Sequence, residues 1–124
     1  MIQFIDENEN EMKTVKTKKE LIKAIKDGET KIMVDNKRLL AACKLAELYQ
    51  NGSKEIKRIL HQDMFSFKPV QYKLAGEEWI AITIIVVMTA ISIITLLVTV
   101  KGRIKVNFRN GTIEIEFEKE KKRS

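Results

Sequence analysis

The strongest pattern in the chain is a run of 22 residues, from Trp79 to Val100, that contains no ionisable side chain. As an α-helix this run would reach about 33 Å, enough to cross a hydrocarbon layer about 30 Å thick. Its many Ile, Leu and Val side chains favour insertion into lipid. We therefore predict a single transmembrane helix over residues 79–100.

Two other interpretations of the run are possible. A secretory signal peptide lies at the N-terminus and has a shorter apolar core, whereas this run begins at residue 79. Ile, Val and Thr occupy 15 of the 22 positions, which makes two buried strands conceivable. Because the run contains no Gly, Pro, Asn or Asp to form a turn between two strands, the transmembrane helix is the preferred prediction.

The residues before this run have the pattern of a small α/β head. Strand patterns at residues 12–16 and 30–34 flank a helix pattern at residues 18–26, and two more helix patterns follow at residues 37–50 and after Ser53. Thr17 and Glu20 have the spacing of a capping box at the start of the first helix. We predict a βαβ unit with parallel strands, followed by two helices.

Apolar and polar residues alternate on both sides of Asn110-Gly111, which predicts a β-hairpin with a two-residue type I′ turn. That turn would place Arg109 opposite Thr112. It would also gather one apolar face, made of Ile104, Val106, Phe108, Ile113, Ile115 and Phe117. With the head across a bilayer, this face would need a second copy, the lipid surface or another protein to cover it.

The predicted fold class is therefore an α+β membrane protein with a small βαβ-αα soluble head, one transmembrane helix and a C-terminal β-hairpin. Its predicted parts are an acidic leader (1–11), the head (12–67), a juxtamembrane linker (68–78), the transmembrane helix (79–100), and the hairpin with a basic tail (101–124).

Charge favours two opposite orientations in the membrane. Residues 101–124 hold 8 basic and 4 acidic groups, and the positive-inside rule places such a flank in the cytoplasm. The 78 residues before the run hold 15 basic groups and the only cysteine, Cys43, as expected of a domain kept in a reducing compartment. We expect a single-pass protein of the inner membrane with its head in the cytoplasm.

Within the predicted span, five residues share one side at 100° per residue: Ala81, Met88, Ser92, Thr95 and Thr99. Small and hydroxyl-bearing residues at this spacing let two membrane helices approach closely and exchange hydrogen bonds. Hydroxyls that bond to their own helix would explain the stripe equally well. The stripe is the candidate site for self-association or for binding another membrane protein in the lipid bilayer.

Side chains suited to catalysis or metal binding are few. His61 is the only histidine and lies on a polar helix face, while Cys43 lies on an apolar helix face and resembles a small core residue. The acidic residues of the leader lack the spacing of a calcium loop, and the lysines alternate with acids and lack aromatic neighbours. We predict that the protein is not an enzyme and has no catalytic residues, cofactor, metal, small-molecule substrate or nucleic-acid partner.

The stretch TVKTKKELIKAIKDGETKIMV, from Thr14 to Val34, resembles the head of small uncharacterised bacterial membrane proteins. Those proteins have a lysine-rich βαβ start, an apolar segment and a short charged β tail, and the resemblance implies no specific activity. The predicted function is a membrane-anchored interaction module, as an oligomer or an accessory subunit of a bacterial membrane complex. The alternative is a membrane-perturbing protein of holin, toxin or defence-effector type, in which association of the spans would itself act.

Overall fold

The structure is a computed structural model that describes residues 12–74 and 78–118. The predicted acidic leader, residues 1–11, and the predicted basic tail beyond residue 118 lie outside these residues. The described strands are β1 (Lys13–Val15), β2 (Lys31–Val34), β3 (Val70–Lys73), β4 (Trp79–Ile82), β5 (Gly102–Asn107) and β6 (Thr112–Phe117). The described helices are α1 (Lys18–Lys26), α2 (Lys37–Gln50), α3 (Lys54–Leu60) and α4 (Ile84–Val100), with a 3-10 turn at Met64–Ser66.

The βαβ unit predicted from the sequence is present, and β1 and β2 lie parallel. Thr17 caps α1, because its hydroxyl oxygen accepts the backbone N–H of Glu20 at 3.1 Å. The Glu20 carboxylate reaches back as a capping box predicts, but it accepts the N–H of Lys16 at 2.7 Å rather than that of Thr17. Local capping therefore sets the start of α1.

One four-stranded sheet joins the beginning of the chain to its end, in the order β1-β2-β6-β5. Strand β6 lies antiparallel to β2, with Ile32 opposite Ile113, and antiparallel to β5. Six buried side chains form the inner face of the sheet: Val15, Ile32, Val34, Ile104, Ile113 and Ile115. The outer face is charged, with Glu114 registered between Lys31 and Lys105. The predicted head and tail are therefore parts of one structure.

The β5–β6 hairpin is present, but its predicted register is wrong by two residues. Asn107, rather than Arg109, lies opposite Thr112, so residues 108–111 form a four-residue loop. A type I′ turn needs positive φ at both central residues, yet of Asn110 and Gly111 only Gly111 has one, at +73°. The side-chain oxygen of Asn107 accepts the backbone N–H of Asn110 at 3.0 Å. The backbone carbonyl of Asn107 accepts the N–H of Gly111 at 2.9 Å.

The prediction of a transmembrane helix is wrong. In the part of the chain that the structure describes, no helix combines the length and the apolar character that crossing a bilayer requires. Trp79–Ile82 is instead a strand paired with β3, and α4 has 17 residues, or about 26 Å. The single-pass fold class, the transmembrane assignment and the inner-membrane location predicted from it are thus not supported.

The apolar run divides at Thr83, and this residue explains the error. Its hydroxyl oxygen accepts the N–H of Val86 at 3.3 Å and so begins α4 directly after β4. The sequence prediction required a turn residue to interrupt the run, whereas a strand can pass into a helix through a single N-cap residue such as Thr. Eight of the 22 residues of the run are buried in the core, where α4 packs against α2 and β5.

Helix α2 is the centre of the core, between the sheet and α4. The sequence predicts one apolar face on it, with Leu39, Leu40, Cys43, Ala46 and Tyr49. The structure also buries Ala41, Ala42 and Leu45. These additional residues are buried because α2 is covered on two sides rather than one, which follows from the position of α4.

The C-terminal residue of α2 protects the free edge of β5. The Gln50 side chain donates from Nε2 to the carbonyl of Gly102 at 2.9 Å, and its Oε1 accepts the N–H of Ile104, also at 2.9 Å. These two bonds reproduce those that a neighbouring strand would make. Since unpaired edges invite pairing with other chains, the Gln50 amide protects the first part of this edge, at Gly102 and Ile104.

Candidate interaction surface

Helix α4 has two apolar sides, and the rest of the domain covers only one of them. The inner side is buried through Val86, Val87, Ala90, Ile93, Leu96 and Leu97. The outer side is exposed at seven positions, Ile84, Ile85, Met88, Ile91, Thr95, Val98 and Thr99. We call these seven residues the outer face of α4.

No residue of the outer face is ionisable. The exposed fractions are large, 57% for Ile85, 54% for Met88 and 69% for Val98. A helix at the surface of a globular protein normally presents charged and polar side chains to water. The outer face exposes on the order of 500 Å² of mostly apolar surface, near the upper end for the largest patch on a monomer. The outer face is therefore the candidate contact site.

The hydroxyl groups of α4 are already bonded within the helix. Thr95 donates to the carbonyl of Ile91 at 2.9 Å, and Thr99 donates to that of Thr95 at 3.1 Å. Thr89 and Ser92 make the same bond to the residue four positions earlier. Because these donors are engaged internally, the outer face can lose its contact with water without leaving a hydroxyl proton unbonded.

The ends of α4 hold the outer face in position. Thr83 caps the start, and Lys101 ends the helix in the left-handed conformation, with φ 58°. The chain then enters β5 at Gly102, where a Cβ atom would lie 3.1 Å from the Ile115 side chain. Because Gly102 permits this close approach, the last turn of α4 packs against the sheet, and the opposite side of the helix faces solvent.

The structure places four of the five predicted stripe residues on α4. Met88, Thr95 and Thr99 belong to the outer face, and Ser92 lies half-buried beside it. Ala81 is also exposed, but it lies on strand β4 rather than on the helix. The stripe and the outer face share these three residues, although the predicted reason for the stripe, packing within lipid, does not apply.

The predicted hairpin face is packed inside the same chain. Ile104, Ile113 and Ile115 are buried, and Val106, Phe108 and Phe117 pack against the core in half-buried positions. The two-residue shift in register preserves this face, because side chains alternate with a period of two. Strand β2 and helix α2 cover the hairpin, so it needs no second copy, lipid or other protein.

The two side chains considered for chemistry, Cys43 and His61, lie in different surroundings, one in the core and one at the surface. Cys43 is 0% exposed, which confirms the prediction of a core residue. Burial raises the pKa of its thiol from an ordinary value of 9.0 to about 12, so the nucleophilic thiolate is suppressed. His61 is exposed at the C-terminal end of α3. Among the residues that the structure describes, no three His, Cys, Asp or Glu side chains are grouped to hold a metal ion.

The burial of Cys43 predicts a loss of stability at alkaline pH. The unfolded thiol ionises above about pH 9 while the folded thiol stays protonated towards pH 12, so unfolding releases a proton in that range. The free energy of unfolding should then fall by up to about 1.4 kcal/mol per pH unit between these values, an effect absent below them.

Urea denaturation of wild type and Cys43→Ala from about pH 8 to pH 10.5 measures this effect, since other titrating groups are common to both proteins. The wild type should lose stability more steeply than the variant above about pH 9. Parallel curves for the two proteins would contradict the assignment.

Sequence reasoning missed Ile84, Ile85, Ile91 and Val98 as site residues. A helix of 17 residues without one charge, in a chain that is 32% charged, is the signal that could have found them. The same signal also favours contact with lipid, which is the prediction that the structure contradicts. No protein-family model, curated protein or solved structure shows a significant match to the chain, and the resemblance of residues 14–34 to small bacterial membrane proteins stays a prediction.

Proposed function

We propose that this protein is a non-enzymatic interaction module that binds an apolar protein surface through the outer face of α4, as an oligomer or as a subunit of a larger complex. The observation that carries the proposal is the exposed, uncharged side of a helix whose other side lies in the core. The burial and raised pKa of Cys43 also support a role without covalent chemistry.

Magnitudes indicate what kind of partner would bind. Burying about 500 Å² at about 25 cal/mol per Å² contributes about 12 kcal/mol, which is comparable to the roughly 4–15 kcal/mol cost of association. A partner that contributes an apolar surface of similar size would double the favourable contribution and exceed that cost. The proposal therefore requires a partner surface that is itself largely apolar.

A membrane-perturbing function has no support in this fold. It depends on the association of membrane-spanning helices, and the apolar run forms a strand and a 17-residue helix packed on α2. The interaction class needs no span, because the outer face of α4 provides the surface for association.

Photo-cross-linking in cells tests the proposal. A benzoylphenylalanine at position 88 should form a covalent adduct with a defined protein, identified by mass spectrometry. The same group at position 116, on the charged outer face of the sheet, is the matched control and should not form that adduct.

A second change on the same face makes the result specific. Val98→Lys places a charge on the outer face about three turns from the cross-linker, and it should remove the adduct formed from position 88. An adduct that survives Val98→Lys, or no adduct above the control, would contradict the proposed function.

A further inference from the structure

The spacing of the exposed residues on α4 indicates the shape of the surface that covers them. Ile84, Met88, Ile91, Thr95 and Val98 follow each other at intervals of four, three, four and three residues. This is the 3.5-residue repeat by which one helix packs its side chains between those of a second helix. The remaining exposed residues, Ile85 and Thr99, flank this repeat on one side.

We infer that the occupant of the outer face of α4 is the α4 helix of a second copy of this chain, an inference that rests on the proposed function. A second copy supplies the same apolar repeat and needs no partner of other composition. Two outer faces together bury on the order of 1,000 Å², the lower limit for a specific interface, whereas one face against a polar surface does not provide enough apolar area.

Charge also fits a pair of identical faces. In a two-fold dimer each surface meets itself, so a charged residue would be brought close to its own copy. The outer face has none, and its threonine hydroxyls donate to the carbonyls of their own helix. The pair therefore forms without burying a charge or an unbonded hydroxyl proton.

A protein partner fits this helix better than a lipid surface. Helices that lie in a membrane interface carry Lys and Arg beside their apolar face, where they meet the headgroups. The exposed and half-buried positions of α4 carry no such residue. A 3.5-residue repeat, moreover, is a requirement of helix pairing and not of lipid contact.

The association state of the purified full chain tests the inference, by sedimentation equilibrium over a range of concentrations. The wild type should show a monomer–dimer equilibrium. Met88→Lys and, separately, Val98→Lys should weaken it by roughly 100-fold, because each buries an unpaired charge in the interface. Both side chains are more than half exposed in one chain, so circular dichroism should show an unchanged fold.

Disulfide cross-linking gives an independent measurement. Ile91 lies in the middle of the repeat and meets its own copy whether the two helices run parallel or antiparallel. In a Cys43→Ala background, Ile91→Cys should therefore form a disulfide-linked dimer on oxidation. Glu116→Cys, on the exposed outer face of the sheet, is the matched control and should remain monomeric.

The outcomes separate this inference from the proposed function. A chain that stays monomeric at about 100 μM, with no cross-link through Ile91→Cys, overturns the second copy as occupant. If position 88 then labels a different protein in cells, the proposed function stands without the dimer. If the monomer instead sediments with phospholipid vesicles, or if position 88 labels nothing, both are overturned.

Discussion

Replacing Ile113 with Ala should lower the free energy of unfolding by about 2–5 kcal/mol. Ile113 is 1% exposed in β6, an inner strand of the sheet, between Ile32 of β2 and Val106 of β5. Truncating it removes buried methyl groups and leaves a cavity that its neighbours fill only in part. Because the four strands form one sheet, the whole domain should be affected together.

Urea denaturation measures the loss, and amide hydrogen exchange shows where it occurs. The amides of Val34 and Asp35 donate to Gly111 and Val15, so they report on the connections of β2 to the hairpin and to β1. Both should lose protection in Ile113→Ala. Glu116→Ala, on the exposed face of the same strand, should change stability by less than about 0.5 kcal/mol. Protection retained throughout β1 and β2 while the hairpin alone opens would contradict a single cooperative sheet.

Replacing Gln50 with Ala should lower the free energy of unfolding by about 1–3 kcal/mol, since the carbonyl of Gly102 and the N–H of Ile104 lose their partner. The exposed edge of β5 should also make the variant more prone to aggregate. Gln50→Glu keeps an acceptor for Ile104 but places a carboxylate oxygen against the carbonyl of Gly102, so its loss of stability should be at least as large as that of Gln50→Ala.

Denaturation midpoints and light scattering measure these two effects. Gln62→Ala is the matched control, because Gln62 is an exposed glutamine just beyond α3, and it should behave as wild type. Equal stability of Gln50→Ala and Gln62→Ala would show that the Gln50 bonds contribute nothing measurable to the edge.

Elements whose ends are capped locally could be predicted from the sequence. The predicted bounds of α1 and α2 agree with the structure, since Thr17 and Asn36 accept the N–H groups of Glu20 and Leu39 within the first turns. The parallel pairing of β1 and β2 also follows from local order, because a short helix connects them.

The residues from Trp79 to Val100 could not be assigned in the same way. Hydrophobicity indicates that a segment avoids water, but a protein core and a lipid bilayer both satisfy that preference. The decision depends on contacts with distant residues, in particular α4 on α2 and β6 on β2, and no local pattern specifies them. The predicted type I′ turn of the hairpin is wrong for a local reason, because Asn110 keeps a negative φ.

The candidate surface was predicted in part. Met88, Thr95 and Thr99 were found because helical geometry places them on one side in any environment. Ile85 and Val98 were not found, because in lipid an apolar side chain carries no information about contacts. On a helix that meets water the same residues are the informative ones, since their exposure has a free-energy cost.

The position of β6 has a consequence for biosynthesis. It is the last described strand in the chain, yet it lies between β2 and β5 in the sheet. Strand β2 therefore cannot pair with β6 until nearly all of the described chain has left the ribosome. Until then the inner face of the sheet is incomplete, and the side of α2 that packs on β5 lacks its cover, so the nascent polypeptide exposes apolar surface that favours aggregation.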